Sequence, residues 1–207
     1  MANDEYQAVL FDLLSALLDS WSLWSKVARS EEGGLAWRNR SLQLTQEAGP
    51  YRNYEEILRE SARDVGEPRE RADELVRRWS ELAPWPETPH VVSVLTEIVP
   101  VGVATNSSIA LADVAVASIG VSIPFVVTAE EAGYYKPHPR PYRMALERMG
   151  CDAEHVLFVA GSAGDVYGAS EVGMPVFWHN RMRLPSLEST TQPRYVSDSL
   201  LPILEIV

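Results

Sequence analysis

The sequence VLFVAGSAGDVYGASEV, at positions 156–172, joins a short apolar run to a glycine-containing turn and then to a helical stretch. Val156 to Ala160 is too short for a helix and is apolar at every position, which is typical of a parallel strand covered on both faces. The run stops at Gly161, and a helix is predicted from Asp165 to Val172. This strand–turn–helix unit indicates a layered α/β fold.

The same pattern recurs along the chain. Four further apolar runs are predicted strands: Ala8–Phe11, Val99–Ala104, Pro124–Val127 and Pro175–Trp178. Two further helical stretches lie between them: Ile109–Ile119 and Pro141–Met149. Strands that alternate with helices indicate an open parallel sheet with right-handed crossovers. Near the end of the chain we predict an irregular crossing over Leu184–Val196 and an apolar segment, Leu200–Ile206, that docks on the sheet layer.

Residues from about Ser20 to Pro89 interrupt this alternation, because they contain no convincing strand. Helical stretches fit instead: Arg38–Gln46, Tyr54–Val65 and Arg69–Leu82. We therefore predict two domains. The core consists of residues 1–18 and 91–207, and an all-helical insertion consists of residues 19–90.

The composition of the 207-residue chain excludes several classes of function. Its net charge of −11 makes it a poor partner for nucleic acid or anionic lipid. No apolar run approaches the roughly 18 residues that span a bilayer, and Met1 to Tyr6 lack the order of a secretory signal. Cys151 is the only cysteine, so no internal disulfide can form. We expect a cytoplasmic protein that acts on a small molecule and binds neither nucleic acid nor a membrane.

Chemically reactive residues follow the predicted strands, where open α/β sheets bind their ligands. An acid at the end of a buried strand needs a partner or a catalytic role, because burial of a lone carboxylate is costly. Asp12, Thr105 and Asn106 also have a structural interpretation as helix caps. Asp165 has one as a first-turn acid that the helix dipole stabilises. The reactive residues are Asp12, Thr105, Asn106, Ser107, Ser162 and Asp165.

Lys136 is unusual because the chain has 16 arginines and only one other lysine, Lys26. A compact ammonium that lies against a carboxylate is not readily replaced by a guanidinium. Lys136 follows Tyr134-Tyr135 and precedes Pro137, which places it in a stiff, aromatic loop. A buried partner of a carboxylate is one interpretation, and a surface lysine is the other.

Together these segments resemble the four motifs of the haloacid dehalogenase superfamily in order and spacing, over almost the whole chain. The motifs are Leu10-Phe11-Asp12-Leu13, Ala104-Thr105-Asn106-Ser107, Lys136-Pro137 and Phe158-Val159-Ala160-Gly161-Ser162-Ala163-Gly164-Asp165. The resemblance implies a Rossmann-like core with a helical cap inserted after the first motif. It implies Asp12 as the nucleophile, Thr105 or Asn106 as an orienting group, Lys136 as the cation that keeps the nucleophile ionised and Asp165 as the last-motif acid.

Two departures argue against the magnesium-dependent phosphatases of that superfamily. Phosphatases carry a second aspartate two residues after the nucleophile, where this chain has Leu14, which cannot transfer a proton. They also open motif four with a Gly-Asp pair whose aspartate binds the metal, and the matching position here is Gly161. Because Mg²⁺ requires hard oxygen ligands, we expect neither a metal nor another cofactor at this site.

Other segments resemble the 2-haloacid dehalogenase branch, in which halide leaves without needing a proton. They are Trp37-Arg38, Tyr51-Arg52-Asn53-Tyr54, the spacing from Lys136 to Tyr142, and Phe177-Trp178-His179-Asn180-Arg181. By this resemblance Arg38 holds the departing halide, and Tyr54 belongs to an aromatic stretch that walls the pocket. The structural alternatives are a solvated helix face for Arg38 and packing within the cap for Tyr51 and Tyr54.

The chain also departs from the pattern of this branch. Ala16 stands where a threonine usually follows the nucleophile, and Ala160-Gly161-Ser162 stands where Ser-Ser-Asn usually opens motif four. A different electrophile, such as a strained-ring acid, and an inactive site are therefore both alternatives.

We predict a metal-independent hydrolase that displaces a leaving group, with halide as the first candidate, from C2 of a small carboxylic acid through an aspartyl ester. Asp12 attacks C2, and Asp165 with Lys136 activates the water that opens the ester. Arg38 and Asn106 are expected to cradle the departing anion. The full set of expected substrate-binding residues is Arg38, Tyr54, Thr105, Asn106, Ser107, Tyr142 and Ser162.

The resemblance further implies a homodimer. Two other functions remain open at this point. One is a magnesium-dependent small-molecule phosphatase, and the other is a non-catalytic descendant that binds a small acid or a partner protein.

Overall fold

The structure, a computed structural model, describes residues 6–186 and 191–207. Its strands are β1 Ala8–Phe11, β2 Val101–Thr105, β3 Phe125–Thr128, β4 Val156–Ala160, β5 Val176–His179 and β6 Tyr195–Ser197. They form one parallel sheet in the order β3-β2-β1-β4-β5-β6. The strand order changes direction at β1, so the carboxyl ends of β1, β2 and β4 meet where such sheets bind ligands.

The helices of the described chain alternate with these strands, except in one region. They are α1 Ser20–Ala28, α2 Glu31–Glu47, α3 Tyr54–Asp64, α4 Arg69–Arg77, α5 Thr88–Thr96, α6 Ile109–Ala117, α7 Ala129–Ala132, α8 Pro139–Met149, α9 Ala163–Glu171 and α10 Ile203–Ile206. Helices α1 to α4 follow β1 without an intervening strand and form the cap. The predicted fold class, a parallel α/β sheet with an all-helical cap, is confirmed.

Side chains that alternate along each strand pack on opposite faces of the sheet. Val9 and Phe11 of β1 belong to one buried cluster, whereas Leu10 belongs to the cluster on the other face. The first cluster continues into the cap through the fully buried rings of Trp24 and Trp79. The cap therefore shares a hydrophobic core with one face of the sheet.

The prediction of an irregular crossing over Leu184–Val196 is wrong at its end, because Tyr195 and Val196 belong to β6. This strand pairs in parallel with β5 at the edge of the sheet. It has three residues, none of them fully buried, so it lacks the apolar run by which the inner strands were recognised. Residues 187–190 of the predicted crossing lie outside the described residues, as do residues 1–5 at the start of the chain.

Helix α5 crosses position 90, at which the sequence prediction divides cap from core. Its apolar residues Val91, Val92 and Leu95 are buried, and the helix packs against β2 and α10. The domain boundaries at residues 18 and 90 remain a prediction. No helix in the described parts of the chain combines the length and the apolar character needed to cross a membrane.

Candidate active site

A pocket lies between the cap and the carboxyl ends of the central strands. The core contributes Asp12, Leu14, Ser15, Asn106, Lys136, Pro137, Ser162, Gly164 and Asp165 to its wall. The cap contributes Arg38, Leu42, Thr45, Gln46 and Tyr54. The pocket therefore joins all four motif segments at the sheet to the cap arginine.

Asp12 follows the last residue of β1 and caps a single π-helical turn, Leu13–Leu17. One carboxylate oxygen, Oδ2, accepts hydrogen bonds from the backbone N–H groups of Ser15, at 3.0 Å, and Ala16, at 3.2 Å. The capping role that Asp12 could have had from its sequence position is thus present. The other oxygen, Oδ1, is directed at Lys136, so capping does not account for the whole side chain.

Lys136 lies between two carboxylates and is buried, which excludes the surface-lysine interpretation. Its Nζ is 2.8 Å from Oδ1 of Asp12 and 2.9 Å from Oδ1 of Asp165. Asn106 fixes the backbone of Lys136 by two hydrogen bonds: its Oδ1 accepts from the Lys136 N–H at 2.7 Å, and its Nδ2 donates to the Lys136 carbonyl at 2.9 Å. The strand-end asparagine therefore positions the cation as well as lining the pocket.

Asp165 lies in the first turn of α9, and Ser162 is the N-cap of that helix. The Ser162 hydroxyl accepts from the Asp165 N–H at 3.2 Å and lies 3.0 Å from Oδ2 of the same residue, to which it donates. Oδ1 of Asp165 accepts a hydrogen bond from the Tyr142 hydroxyl at 3.2 Å. Tyr142 is fully buried behind the pocket wall, so it reaches the site only through Asp165.

The pKa values of the two carboxyl groups move in opposite directions. Burial by itself would raise the pKa of Asp12, but the charge and hydrogen bond of Lys136, together with the Ser15 amide, lower it below its ordinary value. Burial raises the pKa of Asp165 and the Asp12 charge adds to this rise, although Lys136 opposes it. Burial also disfavours the charged form of Lys136, but the two carboxylates raise its pKa. Paired acids with divergent pKa values are typical of sites that separate a nucleophile from a base.

Arg38 extends from α2 to the opposite side of the pocket and is 3% exposed. Its guanidinium lies 5.0 Å from the ring centre of Trp24 and 5.5 Å from that of Trp21. Its hydrogen-bond partners are two hydroxyl oxygens, those of Ser15 and Ser20, each at 3.3 Å. Within the described chain no carboxylate forms an ion pair with it, so a buried positive charge faces the pocket. The solvated-face interpretation of Arg38 is wrong.

Other predicted residues divide between the pocket wall and the layer behind it. Tyr54 is on the wall and also packs edge-on against Trp79, so both interpretations of this residue hold. Thr105 and Ser107 are fully buried, with their hydroxyl oxygens 3.4 Å apart, and are not part of the wall. Neither Thr105 nor Asn106 caps α6, because Ser108 does. Tyr51 lies outside the pocket.

Sequence reasoning missed several wall residues. Three of them lie on α2 and have no motif that would have identified them: Leu42, Thr45 and Gln46. A fourth, Ser15, lies in the π-helical turn after Asp12. Gly161, in contrast, was considered only as a lost carboxylate and as a change in the opening of motif four. A Cβ atom at this position would lie 2.5 Å from the Ala16 nitrogen and 2.6 Å from the Ser15 Cβ. The glycine is therefore required for the close approach of the two turns that carry Asp12 and Asp165.

Comparisons with known proteins place these observations in a family. The model of the haloacid dehalogenase-like hydrolases matches residues 6–173. The chain is 29% identical over 213 residues to an (S)-2-haloacid dehalogenase of Pseudomonas putida, covering 94% of this chain and 93% of that protein. It is 27% identical over 221 residues to an (S)-2-haloacid dehalogenase of Pseudomonas sp. (strain YL), covering 98% and 95%. A solved L-2-haloacid dehalogenase superposes with a TM-score of 0.88 at 26% identity, covering 98% of this chain and 99% of that one.

Proposed function

The chain belongs to the haloacid dehalogenase-like hydrolases, and we propose that it displaces a halide from C2 of a small carboxylic acid through an ester on Asp12. The observation that carries the proposal is an ionised, buried carboxylate opposite a buried guanidinium that has no carboxylate partner in the described chain. One group can supply electrons to a carbon atom, and the other can receive the anion that leaves. The names of the two curated relatives support the same reaction class.

In the first step a carboxylate oxygen of Asp12 forms a bond to C2 of the substrate. The bond between C2 and the halogen breaks, and the halide leaves with its electron pair. A halide is a good leaving group and needs no proton, so Leu14 in place of an acid is no obstacle. Lys136 keeps Asp12 ionised until attack, and the pocket wall limits the access of competing water.

Arg38 is proposed to bind the departing halide, because a positive charge in a water-poor site stabilises negative charge that develops during the reaction. The rings of Trp21 and Trp24 hold its guanidinium in place. Asn106, Tyr54 and Ser162 are the other predicted substrate-contacting residues on the wall. We assign Thr105, Ser107 and Tyr142 to the supporting layer behind it.

In the second step water attacks the carbonyl carbon of the Asp12 ester, and Asp165 takes its proton. The bond between that carbonyl carbon and the ester oxygen attached to C2 then breaks, and Asp165 returns the proton to this oxygen, so that the 2-hydroxy acid leaves. Asp12 keeps one oxygen from water and becomes a carboxylate again when its carboxyl group loses a proton to solvent. Asp165 suits this task because its raised pKa makes it a stronger base than an ordinary aspartate. Ser162 and Tyr142 orient its two oxygens.

A magnesium ion, which phosphatases of the wider superfamily use, does not fit this site. The two carboxylates already share the ammonium of Lys136, at 2.8 and 2.9 Å. Leu14 and Gly161 supply no oxygen side chains where the phosphatase pattern has carboxylates. The proposed reaction therefore uses no metal ion. Cytoplasmic location and a homodimer remain predictions from the sequence.

A substrate panel assayed for both released halide and released phosphate, with and without a chelator, tests the reaction class. We expect chelator-resistant halide release from small 2-halo acids. A single turnover in ¹⁸O-water tests the covalent step: the label should enter the Asp12 carboxylate, and the product should stay unlabelled. Label in the first-turnover product would contradict the nucleophile assignment, and phosphate release that requires magnesium would contradict the reaction class.

A further inference from the structure

Ser15 makes three contacts that join the nucleophile turn to its surroundings. Its backbone N–H donates to Asp12, and its carbonyl oxygen accepts from Nε1 of Trp85 at 3.1 Å. Its hydroxyl oxygen accepts from Arg38 Nη2 at 3.3 Å, and the side chain lines the pocket beside that guanidinium. Because an acceptor hydroxyl still has its own hydrogen to give, the orientation of that hydrogen matters.

The Ser15 hydroxyl has no acceptor of its own within the described chain, so its proton is available to a ligand in the pocket. Arg38 constrains the orientation of the Ser15 hydroxyl hydrogen, because a guanidinium can only donate and thus occupies a lone pair of the hydroxyl oxygen. The hydroxyl therefore cannot direct its proton back at Arg38. The free donor and the guanidinium border the same part of the pocket.

Ser20 provides an internal comparison for Ser15. Its hydroxyl accepts from Nε of the same guanidinium at the same distance, 3.3 Å. Ser20 is, however, fully buried and is not part of the pocket wall. Both serines can orient Arg38, but only Ser15 is placed to contact an anion that Arg38 holds.

Gly161, where the chain departs from the family pattern, packs against the turn that carries Ser15. A Cβ atom at position 161 would lie 2.6 Å from the Cβ of Ser15, which is closer than two such atoms can approach. The same Cβ atom would lie 2.5 Å from the Ala16 nitrogen and 2.7 Å from the Ser15 carbonyl carbon, so Gly161 leaves room for the backbone of the Asp12 turn as well as for the Ser15 Cβ.

We propose that the Ser15 hydroxyl is a second donor to the departing anion, next to the Arg38 guanidinium. The proposal rests on the proposed function and adds a residue to its leaving-group site. It assigns a direct contact to Ser15, whereas Ser20 acts on the anion only through Arg38. It also predicts that the effect of Ser15 grows as the leaving group becomes poorer, because more negative charge then needs stabilisation in the transition state.

Halide binding can be measured on the free protein without turnover. Trp21 and Trp24 flank Arg38, so iodide bound there should quench their fluorescence in a saturable way. Sodium iodide and sodium bromide are titrated at constant ionic strength, and Arg38→Met gives the signal that does not come from this site. Ser15→Ala should raise the halide dissociation constant about tenfold or more, as expected for loss of one hydrogen bond to a charged group. Ser20→Ala should raise it about twofold or less.

Two further variants keep the test independent of folding. Ser41→Ala removes a buried hydroxyl that donates to the Arg38 carbonyl and does not touch the guanidinium, so it should leave halide affinity unchanged. Ser15→Cys keeps nearly the same volume but has a weak donor, so it should resemble Ser15→Ala. Melting temperatures and circular dichroism of all variants identify any that are unfolded.

Equal losses in Ser15→Ala and Ser20→Ala would overturn the direct contact and would leave Ser15 as a positioning residue. Unchanged affinity in both Ser15 variants would overturn the proposal altogether. If saturable halide binding is present and depends on Ser15, but no 2-halo acid is turned over, then the anion site stands and the proposed reaction fails. With turnover, Ser15→Ala should lower kcat more for a chloro acid than for the matching bromo acid, and equal effects would contradict the contact.

Discussion

The ends of β1 and β4 lie side by side and carry the two acids of the site in different surroundings. Phe11 pairs with Val159, and each strand is followed by a turn that brings its aspartate to Lys136. The Asp12 carboxylate also accepts from two backbone amides. The Asp165 carboxylate instead accepts from the hydroxyls of Ser162 and Tyr142.

This difference shows how one ammonium can serve two carboxylates with separate tasks. Backbone amides only donate, and two of them directed at one oxygen favour the ionised form of Asp12. Hydroxyl groups are compatible with both protonation states, because they can donate to a carboxylate or accept from a carboxylic acid. Asp165 can therefore lose and regain a proton while it keeps its hydrogen bonds to Ser162 and Tyr142. We interpret the β1 end as the nucleophile and the β4 end as the base on this ground.

The largest effect is expected from removal of the acid at the β1 end. Asp12→Ala should reduce halide release by about 10⁴-fold or more, because no step of the reaction can begin without the nucleophile. Asp113, an exposed residue of α6, gives a matched control, and Asp113→Asn should retain wild-type rates. Residual activity within tenfold of wild type in Asp12→Ala, measured by halide release, would remove the distinction between the two strand ends.

The next largest effect is expected from Asp165→Asn, which keeps the volume and removes the base. Ester hydrolysis should slow by roughly 10²- to 10⁴-fold, the usual contribution of a positioned base. Ester formation should slow less, so the substrate adduct on Asp12 should accumulate and appear in the intact mass. Equal slowing of both steps, with no adduct at any time, would mean that Asp165 does not act specifically on the second step.

Lys136→Met should slow both steps of the reaction, because it leaves the two buried carboxylates without their shared cation. Burial would then raise the pKa of Asp12, which in the native protein lies below the ordinary 3.8. Asp12 is active only when ionised, so the acid limb of the pH–kcat/KM profile should move to higher pH. A profile of unchanged shape would show that Lys136 does not control the ionisation of Asp12.

The lowered pKa of Asp12 also predicts how the stability of the fold depends on pH. A carboxyl group whose pKa is lower in the folded state stabilises that state above its unfolded pKa, and this stabilisation is lost as the pH falls through the folded value. The Asp12 contribution should therefore be complete above about pH 5 and should decline below it. Urea unfolding from pH 7 to pH 3 should show a smaller loss of unfolding free energy in Asp12→Asn than in the native chain.

The sequence was sufficient for the inner part of the fold and for the three charged residues at the sheet. Strands β1 and β4 are buried on both faces and are apolar throughout, so their ends, and hence Asp12 and Asp165, could be located. Because lysine is rare in this chain, Lys136 could be identified as a candidate site residue. The edge strand β6 could not be found in this way, because its residues are partly exposed and their burial pattern is not that of an inner strand.

The cap side of the pocket was less accessible to sequence reasoning. Whether a residue of α2 faces the pocket depends on how the cap packs on the core, which local periodicity does not specify. Arg38 was identified through family resemblance, whereas Gln46, two turns further along the same helix, was not identified at all. Ser15 was missed for a different reason: its role depends on the π-helical geometry of the turn after Asp12.

The smallest effect is expected from the two glycines of the β4 end, and it tests how tightly the two turns pack. Gly161→Ala would place a Cβ atom 2.5 Å from the Ala16 backbone nitrogen, which cannot move without disturbing the amides on Asp12. We expect a loss of about 1–3 kcal/mol in the free energy of unfolding, as for overpacked sites. A Cβ atom at Gly164 would lie 2.7 Å from Nε2 of Gln46, the mobile end of an exposed side chain. Gly164→Ala should therefore cost less than about 1 kcal/mol. Urea denaturation of both variants gives the comparison, and equal stability would show that the turns at β1 and β4 adjust to each other freely.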